Sequence, residues 1–279
     1  MKKYRSSYSF SLVEVVLVLA IVGILLSLSL RSISRLADGA RKTKAIACLR
    51  AIAEAYRRYM EEQGHPIRWK DLDQVREGPA GYDVTLIAAV LAKGGYLQSV
   101  DAWAWDFDYR VKKYLAQKSS LPPTFCDIVR DGSGSVTGAT VHLNARGKSG
   151  FPTSVCAVVA ANGCTNDEFF CDASEIPIAY SRGLREGTAA PGTWADQKLN
   201  VDLGGIFGNG GGFVVFLDGH VSWFGDLGAA GRCVLRKYGT QDPTNIVAEA
   251  LPRGALRGAV DANSMGLSWK GEGTDCGDF

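Results

Sequence analysis

An α+β fold is predicted, with a long N-terminal helix packed on an antiparallel β-sheet head. Three observations predict it. An apolar run, Phe10 to Leu30, leads without a break into an apolar stripe at helical spacing that ends at Gly64. The second half of the chain is short apolar runs separated by Gly-rich turns, the pattern of strands joined by hairpins. The 279 residues, 46% of them hydrophobic and with a net charge of +2, fit one globular domain of moderate size with an appended element. No long basic block points to nucleic acid, and no internal repeat is present.

The N-terminal element divides into pieces. Residues 1–9 carry Lys2, Lys3 and Arg5, the basic start of a signal or anchor. Residues 10–30 follow as an apolar helix of roughly 32 Å at about 1.5 Å per residue, enough for a bilayer core, so a transmembrane segment is expected there. Charge does not orient it, because Arg31, Arg35, Arg41, Lys42 and Lys44 lie just beyond it. Residues 31–64 continue as the soluble half of the helix. Ile46, Leu49, Ala53, Tyr56 and Met60 recur in steps of three and four, and Gly64-His65-Pro66 ends the run. Residues 65–279 form the expected α+β head.

Within the head, Val84, Ile87, Ala88 and Leu91 predict a second amphipathic helix, stopped by Gly94-Gly95. The stretch DAWAWDFDYRV, 101–111, alternates Trp103, Trp105, Phe107 and Tyr109 with Ala104, Asp106, Asp108 and Arg110, which predicts a half-buried strand. Such an aromatic row could bind sugars, although packing on the long helix is the commoner use. Beyond it FCDIV, ATVHL, SVCAVVA, IPIAYS, GFVVFL and HVSWF are candidate strands. Asp131-Gly132 and Asp218-Gly219 are turn signals, the second forming a hairpin tip.

Of seven cysteines, Cys48 lies in the helix. Cys126, Cys156, Cys164, Cys171, Cys233 and Cys276 form an even set with no CxxC pair. Disulfides are expected over a zinc site, which places the head in an oxidising compartment outside the cytoplasm.

One charge, Glu14, interrupts the apolar run, and a lone carboxylate at bilayer depth costs about 2.5–3.5 kcal/mol. Phe10-Ser11-Leu12-Val13-Glu14 behind a short basic leader resembles the processing site of type IV prepilins and type II secretion pseudopilins, whose usual form is Gly followed by Phe-Thr-Leu-Val-Glu. Gly94-Gly95-Tyr96-Leu97 followed by Asp101-Ala102-Trp103 is similar to the handover from helix to sheet in major pseudopilins. Phe216-Leu217-Asp218-Gly219-His220-Val221 resembles the C-terminal part of the prepilin-like group named for an H-x9-DG signature, and Ala179-Tyr180-Ser181 matches a Ser-Tyr-Ala segment there weakly. Ser9 stands where the family has Gly, Gly208 where the signature has His, and the Pro and Gly of the handover motif are absent.

The resemblance implies a pilin-like fold and cleavage between Ser9 and Phe10 by a prepilin peptidase, followed by N-methylation of Phe10. It implies that Glu14 meets the new Phe10 amine of a neighbouring subunit during assembly. The function implied is that of a structural, non-catalytic subunit of a type IV pilus-like filament or type II secretion pseudopilus. Its partners would be like or related subunits and an assembly platform. Its place would be the bacterial inner membrane, single-pass, with the head in the periplasm or on the cell surface. No cofactor is expected; calcium is the one that the resemblance raises, with Asp275 and Asp278 as oxygen ligands, and Asp167, Glu168, Asp172 and Glu175 make a second acidic cluster, but solvated loop charge is the commoner account of both.

The competing class is a membrane-anchored extracytoplasmic carbohydrate-binding module or hydrolase that does not polymerise. Ala179-Tyr180-Ser181-Arg182-Gly183 approaches a nucleophile elbow, with Asp202 or Asp218 and His220 as partners, but no amphipathic helix follows Ser181. Gly147-Lys148-Ser149 lacks the first Gly of a P-loop, a place held by His142. The three histidines, 65, 142 and 220, are too dispersed to propose a metal site.

Overall fold

The computed structural model describes residues 12–75, 84–118, 126–141, 153–160, 173–184, 194, 205–225 and five short segments between 235 and 268. The chain divides into two compact units, Met1–Lys44 and Ala45–Phe279. Helix α1 (Leu12–Gln63) is 52 residues long and contributes to both.

In the first unit every described side chain from Leu12 to Ser27 is solvent-exposed, and so are those from Arg35 to Thr43. Leu12 is 81% exposed, Leu19 65% and Leu36 73%. Among the described residues, no helix is long and apolar enough to cross a membrane. This corrects the expected transmembrane segment over 10–30 and the single-pass inner-membrane placement derived from it. Glu14 lies in the first turn of α1, and Ser27, Ser29, Arg31 and Ser32 follow its aliphatic stretch, which lowers the hydropathy along the helix. The leader 1–9 and the cleavage residues Ser9 and Phe10 lie outside the described residues.

In the second unit the stripe expected on α1 is the buried one: Leu49, Ala53, Tyr56 and Met60 are fully buried and Ile46 is partly so. The helix stops where Gly64 takes φ +74° and its N–H bonds Met60 O at 2.9 Å, a left-handed cap that glycine adopts without penalty. Two short helices follow, α2 (Trp69–Asp73) and α3 (Val84–Lys93). α3 is the helix predicted there, yet Val84 to Ala92 are all buried, so it is a core helix with no wet face.

The predicted strand over 101–111 does not form. A single turn of 3-10 helix (Val100–Ala102) is followed by α4 (Tyr109–Lys118). Trp103, Ala104 and Trp105 are buried in succession, which a pleated strand with one wet face does not allow. Val111, Tyr114 and Leu115 carry the helical spacing that identifies α4 in retrospect.

The strands confirm the antiparallel half of the fold. β1 (Cys126–Arg130) and β2 (Val136–Val141) form a hairpin. β3 (Val155–Ala160), β4 (Pro177–Ser181), β5 (Gly212–Phe216) and β6 (Val221–Phe224) form an antiparallel meander. β7 (Leu235–Arg236) pairs with β8 (Pro243–Thr244), and β10 (Ala259–Val260) with β11 (Leu267–Ser268). β9 (Ala255–Arg257) completes the main sheet in the order β6-β5-β4-β3-β9. β3, β4 and β5 share one buried cluster with α3 and the second half of α1. Both predicted turns are in place, with Asp131 accepting from the Ser133 and Ser135 N–H groups and Gly219 at φ +90° between β5 and β6.

Candidate functional site

Three constellations carry polar or assembly chemistry. The first is the exposed part of α1. Glu14 stands in its first turn, one turn from Leu17 and Val18, which are 60% and 54% exposed. Ser27 donates its hydroxyl to Ile24 O at 2.8 Å, so this polar side chain is satisfied by its own helix. The remaining side chains along Leu12–Leu26 are almost all branched aliphatic, with Ala20 and Gly23 the small exceptions. The apolar surface is thus nearly continuous on all sides of this part of the helix.

The second is a buried ion pair in the head. Asp108 Oδ1 lies 2.6 Å from an Arg182 terminal nitrogen, with side chains 0% and 4% exposed. Asp108 Oδ2 accepts from Ser154 Oγ at 2.7 Å, and Ser154 Oγ accepts from the Trp105 N–H at 3.0 Å. Asp108 also caps α4, accepting from the Arg110 N–H at 3.0 Å. Backbone bonds Ser154 N to Trp103 O (2.7 Å) and Arg182 N to Ser154 O (2.9 Å) close the network. It binds the 103–108 turn to β3 and β4, and its depth makes it architectural.

The third is a groove of about 380 Å³ between the C-terminal ends of α1 and α3. Its floor is Asp71, a carboxylate 8% exposed in its side chain. Asp71 Oδ2 accepts from the Arg68 N–H at 2.8 Å and lies 3.6 Å from His65 Nδ1, which also sits 2.9 Å from Pro66 O. Burial pushes the Tyr59 phenol far above the usual tyrosine range, and the charge and hydrogen bond of Asp71 push it further. Tyr59 meets both His65 and Tyr96 edge-on, with ring centroids 5.9 and 5.7 Å apart. Tyr96 donates to Glu62 Oε2 at 2.7 Å, and burial raises its phenol too. No sequence pattern marked this groove, since its residues come from three segments that only the fold brings together.

The remaining sequence candidates fall as follows. Ser181 is fully buried at the end of β4, and its Oγ accepts from the Phe213 N–H at 2.9 Å. His220 lies apart from it, at the tip of the β5-β6 hairpin. There His220 stacks on Phe216 at 4.1 Å and its Nδ1 is 2.6 Å from Asp218 Oδ1, a local turn contact. Trp103 and Trp105 are 1% and 0% exposed and present no sugar-binding row. Cys156 is a buried thiol in β3, and Cys48 donates to Asp101 O at 3.4 Å. The side chains of Cys126, Cys164, Cys171, Cys233 and Cys276 lie outside the described residues, as do Asp202, Asp275, Asp278 and the stretch 142–149. Among the described residues no group of His, Cys, Asp or Glu is arranged to hold a metal ion.

Compared with family models, curated proteins and solved structures, the chain matches none of them. The class is therefore set by fold alone: an α+β protein with antiparallel sheets and a long N-terminal helix whose first part is apolar and exposed.

Proposed function

We propose that the chain is a structural subunit that assembles with like subunits into a pilus-like filament or pseudopilus through the N-terminal part of α1. The observation that carries this reading is the unbroken exposure of large apolar side chains from Leu12 to Leu26 on a helix continuous with a folded head. Burying each such side chain is worth about 1.5–3 kcal/mol, and helices of neighbouring subunits bury them by packing side to side.

Glu14 sets the register in this reading. Cleavage between Ser9 and Phe10 by a prepilin peptidase would leave an amine on Phe10, a cation that pairs with Glu14 of a neighbour. Among apolar helices such a pair discriminates one axial stagger from the next, because any other stagger leaves a charge desolvated and alone. The resemblance of Phe10-Ser11-Leu12-Val13-Glu14 to prepilin processing sites supports this arrangement. The head would form the outer surface, and an assembly platform would supply the remaining partner.

Mass spectrometry of the native protein tests processing: a peptide beginning at methylated Phe10 is expected, and one retaining Met1 through Ser9 overturns it. Cross-linking between subunits tests assembly. Glu14→Leu should keep the protein abundant while abolishing the cross-linked ladder; an unchanged ladder in that variant removes Glu14 from assembly.

A further inference from the structure

We propose that the exposed face of α4 binds single-stranded nucleic acid, taking its phosphates on lysines and a base on Tyr109. The inference stands apart from the assembly reading, since it uses only residues of the head.

Charge argues for the phosphates. Four of the ten residues of α4 are cations, Arg110, Lys112, Lys113 and Lys118, and none is acidic. The carboxylate of Asp108, just before the helix, is held by Arg182. Asp106, even set wholly against Arg110, leaves the three lysines. All three are exposed, and among the described residues none forms an ion pair or a side-chain hydrogen bond with them. A helix that used cations for its own stability would place them in its last turn, or pair them with Asp or Glu one turn away. Lys118 alone is in the last turn of α4, so Lys112 and Lys113 make a positive surface that no carboxylate of the helix offsets.

The ring between those lysines argues for a base. Tyr109 is 43% exposed, and the described head shows only two other large hydrophobic side chains this open, Val129 and Trp223. Among the described residues no ring packs on Tyr109 and no group bonds its hydroxyl. Lys112 and Lys113 follow it by three and four residues, which sets their Cβ atoms about 5–6 Å from its own, one on either side. Ala116, two turns beyond Tyr109 on the same line, is exposed and small, so it leaves the path along the helix clear. Val111 faces inward and is buried. A single strand alternates planar bases with phosphates, whereas an acidic peptide brings charge without the ring and a duplex keeps its bases stacked inside. Aromatic stacking beside a cationic track is the make-up of single-strand sites. Lysine suits phosphate as a compact point charge, while the forked guanidinium is the better match for carboxylates.

Fluorescence anisotropy of the full chain, kept in solution with a non-ionic detergent, tests this with labelled oligothymidylate about 16 nucleotides long. An abasic strand of the same length and polyglutamate serve as competitors. Saturable binding of oligothymidylate is expected with a Kd of about 10⁻⁴ M or tighter at physiological salt, with both competitors at least about fivefold weaker. Lys112→Gln combined with Lys113→Gln, both surface changes, should weaken binding about tenfold and flatten the slope of log affinity against log salt by about 1.4. Tyr109→Ala should weaken it about fivefold or more and leave that slope unchanged. No saturable binding, affinity and slope unchanged in the double lysine variant, or polyglutamate competing as well as oligothymidylate would overturn the proposal. An abasic strand bound as tightly as oligothymidylate, or Tyr109→Ala without effect, would overturn the part assigned to the base.

Discussion

Asp108 and Arg182 meet at 2.6 Å with almost no solvent access, across 74 residues of sequence. The pair joins the turn that follows the 3-10 helix to the end of β4, and Ser154 completes the coordination of the carboxylate. Removing one partner strands the other as a buried charge. Asp108→Ala is expected to destabilise the protein by about 3–5 kcal/mol, as measured by chemical denaturation. The double variant Asp108→Leu with Arg182→Met should recover a large part of that loss. A double variant as unstable as the sum of its singles would show that the two residues act separately.

The Tyr59 phenol gives a pH dependence with a defined sign. Its pKa is raised in the folded state by burial first and Asp71 second, so folding favours the neutral form. The contribution is complete below the unfolded tyrosine pKa of about 10 and is lost as pH rises above it. Stability should therefore fall in alkaline solution, and spectrophotometric titration should show a phenol that ionises only on unfolding. Tyr59→Phe should flatten the alkaline loss while costing about 1–2 kcal/mol at neutral pH, since Asp71 loses a donor.

Two glycines of the β5-β6 hairpin should respond differently to alanine. Gly219, at φ +90°, has open space around a would-be Cβ, so Gly219→Ala carries only the backbone penalty of about 1 kcal/mol. At Gly211, φ +134°, the same atom would stand 2.5 Å from Phe224 O and 2.7 Å from the Trp223 ring. Gly211→Ala should cost clearly more, and a ranking in the opposite order would mean that the hairpin is seated differently.

Ser181 separates architecture from catalysis. Its hydroxyl accepts the Phe213 N–H within the sheet, so Ser181→Ala should lower stability by about 1–2 kcal/mol through one unsatisfied buried donor. Labelling of Ser181 by a fluorophosphonate probe would contradict this role, because the probe needs an open and nucleophilic oxygen.

Sequence by itself determined the features whose causes lie within a few residues of each other. Gly64 ends α1, Asp218-Gly219 tips the β5-β6 hairpin, and Leu49, Ala53, Tyr56 and Met60 face the core, because caps, turns and helical periodicity act locally. The apolar run of α1 and its single Glu14 were equally plain in the sequence, but the membrane span expected from them is not what the described helix provides. Tertiary structure decided what depends on distant partners. The stretch 101–111 carries a strand-like alternation, yet burial of three consecutive residues and the grip of Arg182 on Asp108 turn it into a bend and a helix cap. The groove around Asp71 left no trace in any motif, since its charges converge only after α1, the loop beyond it and α3 have packed. Local chemistry fixes where elements begin and end, while burial and charge pairing across the chain fix what they enclose.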